Sequence, residues 1–271
     1  MAIGEAGTAA RRAAEHPWVE RLFRAGLVAK GVLYATMALL ALGVALELGG
    51  RTTDQAGALR TLAGSPGGAV LTGLLAAGLV GYAAWRLAQA ALDTDREGTD
   101  AGGLASRAGA AASGVVHLGL AVLAVRLMAD AGGGSSGGGE RQATAGVLGW
   151  TGGRAIVAAA ALLVIGVGAY NAWEGLSRRF MRRMRVAGGR RRLVERLGAV
   201  GYIARGAVFA LVGAFLMKAA VEYDPSEAVG IDGALARLAR QPYGTALLVA
   251  VALGLLAYAA TCIAQARYRE V

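Results

Sequence analysis

Polar residues recur at matched positions inside three long apolar stretches of this chain. Each stretch contains an anchor glycine, at Gly31, Gly114 and Gly206. A basic or hydroxyl residue directly precedes each anchor, giving an inner set of Lys30, Ser113 and Arg205. Three positions after each anchor come Tyr34, His117 and Phe209, and an acid follows further on, giving an outer set of Glu47, Asp130 and Glu222. Cations and acids held at fixed depths of apolar helices could line a path for an ion or a small solute.

The basic residues of the inner set allow two interpretations. Lys30 and Arg205 stand about one helical turn inside the boundary of their apolar stretches, so their long side chains could reach lipid headgroups. Alternatively, they line a cavity. On an ideal helix Glu47 lies about 100° away from Lys30, whereas Tyr34 shares the face of Lys30. A single pore lined by both sets therefore requires tilted, bent or supercoiled helices.

The outer acids are unusual because a carboxylate at a helix C-terminus opposes the helix dipole. Two of them have a base four residues earlier, Arg126 before Asp130 and Lys218 before Glu222. This spacing favours an ion pair on one helix face. A glycine occupies the corresponding position before Glu47, so the sequence predicts that Glu47 is the acid without a local partner.

A second series of apolar stretches carries tyrosines, each four residues after a glycine: Tyr82, Tyr170 and Tyr258. Tyrosines in this pattern are more typical of anchors at the membrane interface than of a cofactor site. Arg86 and Glu174 occupy matched positions with opposite charge, which predicts a salt bridge between two repeats.

Catalytic and metal-binding patterns do not emerge from the sequence. The single cysteine, Cys262, lies in an apolar stretch, and His117 is more typical of a neutral histidine satisfied by a neighbouring helix than of a ligand. No nucleophile, acid and base combination and no phosphate-binding glycine loop is found. We therefore expect no enzymatic activity, no catalytic residue, no metal and no cofactor.

The composition explains where these positions lie. With 56% hydrophobic and only 17% charged residues among 271, the chain is too apolar for an ordinary soluble domain. Stretches of about 20 apolar residues are long enough to cross a bilayer. The sequence predicts six transmembrane helices, at about 27–47, 68–90, 108–129, 154–175, 198–220 and 244–265.

The net charge of +10 is distributed unevenly between the connections. Most basic residues fall in the N-terminal leader, in the second and fourth connections and in the C-terminal tail, which predicts cytoplasmic N- and C-termini. The densest run, Arg178–Arg196, could also bind anionic lipid headgroups. We expect no nucleic-acid partner, because nothing else resembles a recognition module.

The matched positions belong to a threefold internal repeat, each copy consisting of two membrane helices. The segment GALRTLAGSPGG at 57–68 matches GALARLARQPYG at 233–244, and its leucine spacing predicts a short amphipathic helix between the two long ones. Pro66 and Pro242 would fit the first turn of the helix that follows. The middle copy has AGGGSSGGG at 131–139 instead, which predicts a flexible loop.

This plan resembles the family catalogued as domain of unknown function 1206, which consists of bacterial inner-membrane proteins. The resemblance covers roughly residues 20–268 and implies a fold and a location, with no established activity. It divides the chain into a leader at 1–19 and repeats at 20–97, 98–185 and 186–271. We predict an all-α integral membrane protein of three tandem helical hairpins related by an approximate threefold axis along the membrane normal.

Two functions are compatible with these patterns. In the first and favoured one, the protein is a structural or accessory membrane protein that binds lipid or another membrane protein. In the alternative, it is a small transporter or channel for an ion or small solute, with an acidic outer mouth at the outer set.

Overall fold

A computed structural model describes residues 17–94, 98–129 and 139–269. Across these residues the fold is helical, with six long helices that are apolar enough to cross a membrane. They are α1 (Pro17–Ala45), α3 (Gly68–Leu92), α4 (Ala101–Met128), α6 (Gly153–Ser177), α7 (Arg190–Glu222) and α9 (Gly244–Tyr268). Three short helices connect them in pairs: α2 (Gln55–Ala63), α5 (Gly139–Leu148) and α8 (Ile231–Ala239). The prediction of an all-α protein with six membrane helices is confirmed, while the threefold axis stays a prediction.

The six long helices fall into two length classes. The second helix of every repeat has 25 residues. The first helices are longer, with 29, 28 and 33 residues. They begin seven to ten residues before the predicted apolar boundaries, because arginine, glutamate and leucine continue the helix beyond the stretch that hydropathy marks. Apolar length therefore predicted the spans and underestimated the helices.

The short helices recur in all three repeats. In α2, the side chain of Asp54 accepts a hydrogen bond from the backbone N–H of Gly57 at 2.7 Å and thereby caps the first turn. Leu59 of α2 and Leu235 of α8 occupy matched positions, and both are fully buried. The expected amphipathic helices are thus present. Sequence reasoning did not anticipate α5 in the middle repeat, and the glycine-rich segment before it lies outside the described residues.

A tight turn precedes the second long helix of every repeat. Before α3, the N–H of Gly68 donates to the carbonyl of Ser65 at 2.8 Å, and Gly67 adopts φ 74° and ψ 9°. These angles, with Pro66 one position earlier, define a type II turn. Pro66 therefore lies in this β-turn, before the helix begins at Gly68. The sequence-based prediction that Pro66 lies in the first turn of the helix is wrong. Gly152 and Tyr243 hold the matching left-handed position, with φ of 79° and 60°.

The described chain divides into two compact units that do not follow the repeats. Compact unit 1 takes its residues from 1–30, 59–133 and 262–271, and compact unit 2 takes the others, from 31–58 and 134–261. The helix α1 thus contributes to compact unit 1 up to Lys30 and to compact unit 2 from Gly31 onward.

Close helix packing in compact unit 2 depends on facing glycines of α6 and α7. A Cβ atom at Gly206 would lie 2.6 Å from the carbonyl oxygen of Gly168, and one at Gly168 would lie 2.8 Å from that of Gly206. Both separations are shorter than a van der Waals contact, so only glycine fits on either side. This is the close approach that small residues permit in membrane helices. One anchor glycine, Gly206, therefore serves packing.

Compact unit 1 packs α3 against the first part of α1. Phe23 and Leu27 of α1 form a buried cluster with Tyr82 and Trp85 of α3. A Cβ atom at Gly78 would lie 2.9 Å from the carbonyl oxygen of Ala25, so these two helices also approach closely.

Candidate functional site

Arg205 forms the centre of a polar and aromatic cluster in compact unit 2, within the membrane-spanning part of α7. Its Nε donates a hydrogen bond to the hydroxyl of Tyr34 at 2.9 Å, and its Nη1 donates to the side-chain oxygen of Asn171. Asn171 is anchored in turn, because its Nδ2 donates to the carbonyl of Val167 at 2.7 Å. The guanidinium group is thus held by two neutral acceptors from two other helices.

Aromatic rings surround the same guanidinium group. Its carbon lies 4.8 Å from the ring centroid of Phe209, 5.1 Å from Tyr258 and 5.9 Å from Tyr34. Tyr258 also contacts Tyr34 and Tyr202 edge to face, at 4.8 and 5.2 Å between centroids. Cation–π attraction at such distances contributes about 0.5–2 kcal/mol per contact. We name the residues that hold Arg205, together with it, the Arg205 cluster: Tyr34, Asn171, Tyr202, Arg205, Phe209 and Tyr258.

Lys30 occupies the matched inner position of repeat 1, in compact unit 1. It is only 7% exposed, and its Nζ donates to the hydroxyl of Tyr82 at 3.2 Å while lying 5.1 Å from the centroid of that ring. The ring of His117 also lies 4.5 Å from that of Tyr82, and its Nδ1 is 2.7 Å from the carbonyl oxygen of Ser113. The structure thus brings together four residues: Lys30, Tyr82, Ser113 and His117. Their matched positions in the repeats did not predict this grouping.

Both cations of the inner set therefore adopt one arrangement, above the tyrosine of the second helix of their own repeat. The separation is 5.1 Å for Lys30 over Tyr82 and for Arg205 over Tyr258. This placement favours the interior interpretation over side chains that extend to the headgroups, because Lys30 Nζ and Arg205 Nε each donate a hydrogen bond to a tyrosine hydroxyl.

The outer acids do not form a uniform set. Glu47 is exposed, follows the end of α1 and adopts a left-handed φ of 57°, whereas Glu222 is the last residue of α7 and Tyr223 takes the left-handed position. Lys218 lies 3.7 Å from Glu222, which confirms the predicted pair. Among the described residues no ion pair to Glu47 is found. Asp130 lies outside the described residues.

A carboxylate that the sequence did not single out organises the outer end of repeat 3. Glu227 accepts from Lys218 at 3.0 Å and also from Arg237, whose guanidinium carbon lies 4.6 Å from the ring of Phe215. The hydrogen bond from Lys218, followed by that from Arg237, lowers the pKa of Glu227. Glu222 thus belongs to a neutralised network of alternating charges.

The salt bridge predicted between Arg86 and Glu174 stays a prediction, since the two residues belong to different compact units. Arg86 donates to the side-chain oxygen of Gln89 at 2.9 Å, on its own helix. The matched tyrosines of the three second helices differ sharply in burial: Tyr82 and Tyr258 are 6% and 3% exposed, and Tyr170 is 54% exposed. The interpretation as interfacial anchors fits Tyr170 and does not fit the two buried tyrosines.

A groove in compact unit 1 runs between the first part of α1 and the end of α9. Its volume is about 760 Å³, and its walls are Arg24, Ala25, Val28, Ile263, Ala266, Arg267 and Tyr268. Arg24 caps the C-terminus of α9, because its Nη1 donates hydrogen bonds to the carbonyl of Ala266 at 2.7 Å and to that of Arg267 at 3.0 Å. Arg267 itself is exposed, as are Val28 and Ile263. The groove therefore combines a solvated cation with an apolar wall.

In the described part of the chain, no three histidine, cysteine or acidic side chains are grouped closely enough to hold a metal ion. The residues that sequence reasoning missed are Asn171, Glu227 and the groove residues Arg24 and Arg267. Asn171 carried a usable signal, because an amide within an apolar membrane stretch is costly unless it has a partner. The groove residues carried no such signal in the sequence.

The six apolar helices and the buried polar clusters define a multipass membrane protein. The family model described as Domain of Unknown Function (DUF1206) matches the chain three times, over residues 25–93, 108–178 and 200–269. A curated relative, the uncharacterized protein YxxB of Bacillus subtilis (strain 168), is 31% identical over 258 residues, which cover 94% of this chain and 93% of the relative. No solved structure matches this chain. The chain belongs to the DUF1206 family, with one family domain in each of the three predicted repeats.

Proposed function

We propose that the protein is a non-enzymatic accessory protein of the bacterial inner membrane that binds anionic phospholipid, with its termini in the cytoplasm. The observation that supports this proposal is the groove between α1 and α9. A lipid phosphate would contact Arg267, and the acyl chain would lie along Val28 and Ile263, which are 43% and 50% exposed. The apolar wall of the groove matches the acyl chain of a phospholipid, and its basic rim matches the phosphate.

Further basic residues, in compact unit 2, also support binding of anionic lipid. In the run from Arg178 to Arg196, Arg178 pairs with Glu195 at 2.6 Å, and Arg179 lies 5.2 Å from the ring of Trp173. The three residues at the start of α7, Arg190, Arg191 and Arg192, are exposed. A basic residue near an anionic surface contributes about 1 kcal/mol to membrane binding. Another membrane protein is a further partner of the kind this surface could accept.

Transport through an acidic outer mouth receives less support. Glu222 is held in ion pairs with Lys218, and Glu47 differs from it in backbone conformation. Two acids with different geometry do not make a ring that strips water from a cation.

The experiment compares the binding of phosphatidylglycerol and phosphatidylcholine to purified protein by native mass spectrometry from a neutral detergent. We expect Arg267→Gln to weaken phosphatidylglycerol binding about fivefold, the loss of about one surface charge. Ala25→Trp should fill the groove and weaken both lipids. Arg240→Gln, which removes an exposed charge from another part of the chain, should leave binding unchanged.

The proposal fails if Arg267→Gln and Ala25→Trp bind phosphatidylglycerol as well as the wild type does. A loss of the same size in Arg240→Gln would also contradict it, because the attraction would then follow net charge and not the groove.

A further inference from the structure

The guanidinium group of Arg205 has more hydrogen-bond donors than the protein uses. Arginine carries five N–H groups and no acceptor. The Nε–H is taken by Tyr34, and one N–H of Nη1 is taken by Asn171. In the described residues no other protein acceptor lies within hydrogen-bond distance, so three N–H groups, including both on Nη2, are left for a ligand.

The charge of Arg205 is also uncompensated by the protein. Over residues 17–94, 98–129 and 139–269, no carboxylate lies within ion-pair distance of this guanidinium group. A lone cation within a membrane helix costs about 2.5 kcal/mol or more. The tyrosine hydroxyl, the amide and the aromatic faces lower this cost without removing the charge. An anion would compensate it.

The neighbours of Arg205 hold the group in one orientation. Tyr34 comes from α1, Asn171 from α6 and Tyr258 from α9, so three helices fix the plane of the guanidinium group. Because Arg205 is half-buried, one side of it stays accessible from the surface of compact unit 2. A fixed, partly desolvated arginine with adjacent free N–H groups matches an oxyanion, which accepts two parallel hydrogen bonds.

We propose that the Arg205 cluster is a binding site for a phosphate-type oxyanion, separate from the lipid groove at Arg267. The phosphate belongs either to a lipid headgroup or to a soluble compound, since both present the same oxygens. In either case Arg205 binds the oxygens directly, and Tyr34 and Asn171 position its guanidinium group.

The test measures the rise in melting temperature of purified protein in neutral detergent on titration with inorganic phosphate or, in a second arm, with phosphatidylglycerol. The lipid arm uses the Arg267→Gln variant as its starting protein, so that the groove does not contribute. We expect Arg205→Gln to weaken the apparent affinity about tenfold or more, the loss expected for charge-assisted hydrogen bonds. Arg240→Gln, at an exposed arginine outside the Arg205 cluster and outside the basic run of 178–196, should retain the full response.

A second variant keeps the proposal testable if Arg205→Gln does not fold. Asn171→Asp places a carboxylate where the amide oxygen contacts Arg205, so that the protein supplies its own anion. Because the variant also loses the hydrogen bond from Asn171 Nδ2 to the carbonyl of Val167, its readout is the response to added anion, which we expect to be lost.

The two arms identify the source of the phosphate. A response to inorganic phosphate identifies a soluble anion, and a response to lipid alone identifies a headgroup. The proposal is overturned if neither arm shows a response in its starting protein, if Arg240→Gln loses as much as Arg205→Gln, or if Asn171→Asp responds like the wild type.

Discussion

Repeats 1 and 3 differ from repeat 2 in the surroundings of one matched glycine in the first long helix, although all three copies carry the same glycine and tyrosine pattern. A Cβ atom at Gly26 would lie 2.6 Å from the carbonyl oxygen of Gly78, and one at Gly201 would lie 2.5 Å from the Cα of Tyr258. At the matched Gly109 a Cβ atom would meet nothing within 4 Å.

The difference extends to the polar residues. Repeats 1 and 3 place a cation above a buried tyrosine, whereas repeat 2 has Ser113 at the cation position and an exposed tyrosine, Tyr170. The close glycine contact, the cation and the buried tyrosine therefore occur together in repeats 1 and 3. A repeated motif defines where a site can form, and the helix that packs against it decides whether it does.

The largest expected effect concerns the tyrosines. Tyr258→Ala should lower the free energy of unfolding by about 3–5 kcal/mol, because it empties a buried site beside Tyr34, Tyr202 and Arg205. Tyr170→Ala should cost about 0.5 kcal/mol, the size of a surface change. Melting of both variants in neutral detergent measures the difference. Equal losses would show that the two repeats do not differ in this way.

The glycines test the same comparison with a smaller change. Gly201→Ala should destabilise the protein by about 1–3 kcal/mol, since the added methyl group meets the backbone at Tyr258. Gly109→Ala should stabilise it by about 0.5–1 kcal/mol, because alanine is the better helix former and the site is open. Thermal unfolding of the pair gives the sign of each change, and a destabilised Gly109→Ala would contradict the open site.

At the turn before the second long helix, repeat 3 differs from repeats 1 and 2. Tyr243 adopts a left-handed φ of 60° where repeats 1 and 2 have glycine, and its side chain is 87% exposed. Tyr243→Gly should raise stability by about 0.5–1 kcal/mol through relief of that strain. Tyr243→Phe keeps the strain and should melt like the wild type. A lower melting temperature for Tyr243→Gly would show that the exposed ring stabilises the protein.

The outer ends of repeats 1 and 3 give the smallest effect, which depends on pH. The pKa of Glu227 is lowered in the folded protein, so its contribution to stability is present above its ordinary pKa and is lost as the pH falls through the lowered value. Glu227→Gln should therefore melt below the wild type at neutral pH, and the gap should close on acidification. Glu47→Gln, at an acid with no ion pair among the described residues, should show no such gap. A gap that persists in acid would assign the loss to packing.

The sequence predicted those features that follow from spacing along one helix. The six spans follow from apolar length, and the pair of Lys218 and Glu222 follows from four-residue spacing. The placement of Asn171 against Arg205 did not follow, because it joins two helices of different repeats. The two outer acids also looked equivalent by position, yet α1 ends two residues before Glu47 and α7 ends at Glu222.

The sequence by itself determined the class of the protein: six apolar helices, three repeats and membership of the DUF1206 family. The physical reason is that the bilayer requires long apolar stretches whose backbone hydrogen bonds are made within each helix, and both requirements can be read from the sequence. Only the tertiary structure decided that both inner cations lie above buried tyrosines, where the groove beside Arg267 runs and which arginine keeps free donors. These features depend on how helices rotate and approach one another, which a single helix does not encode.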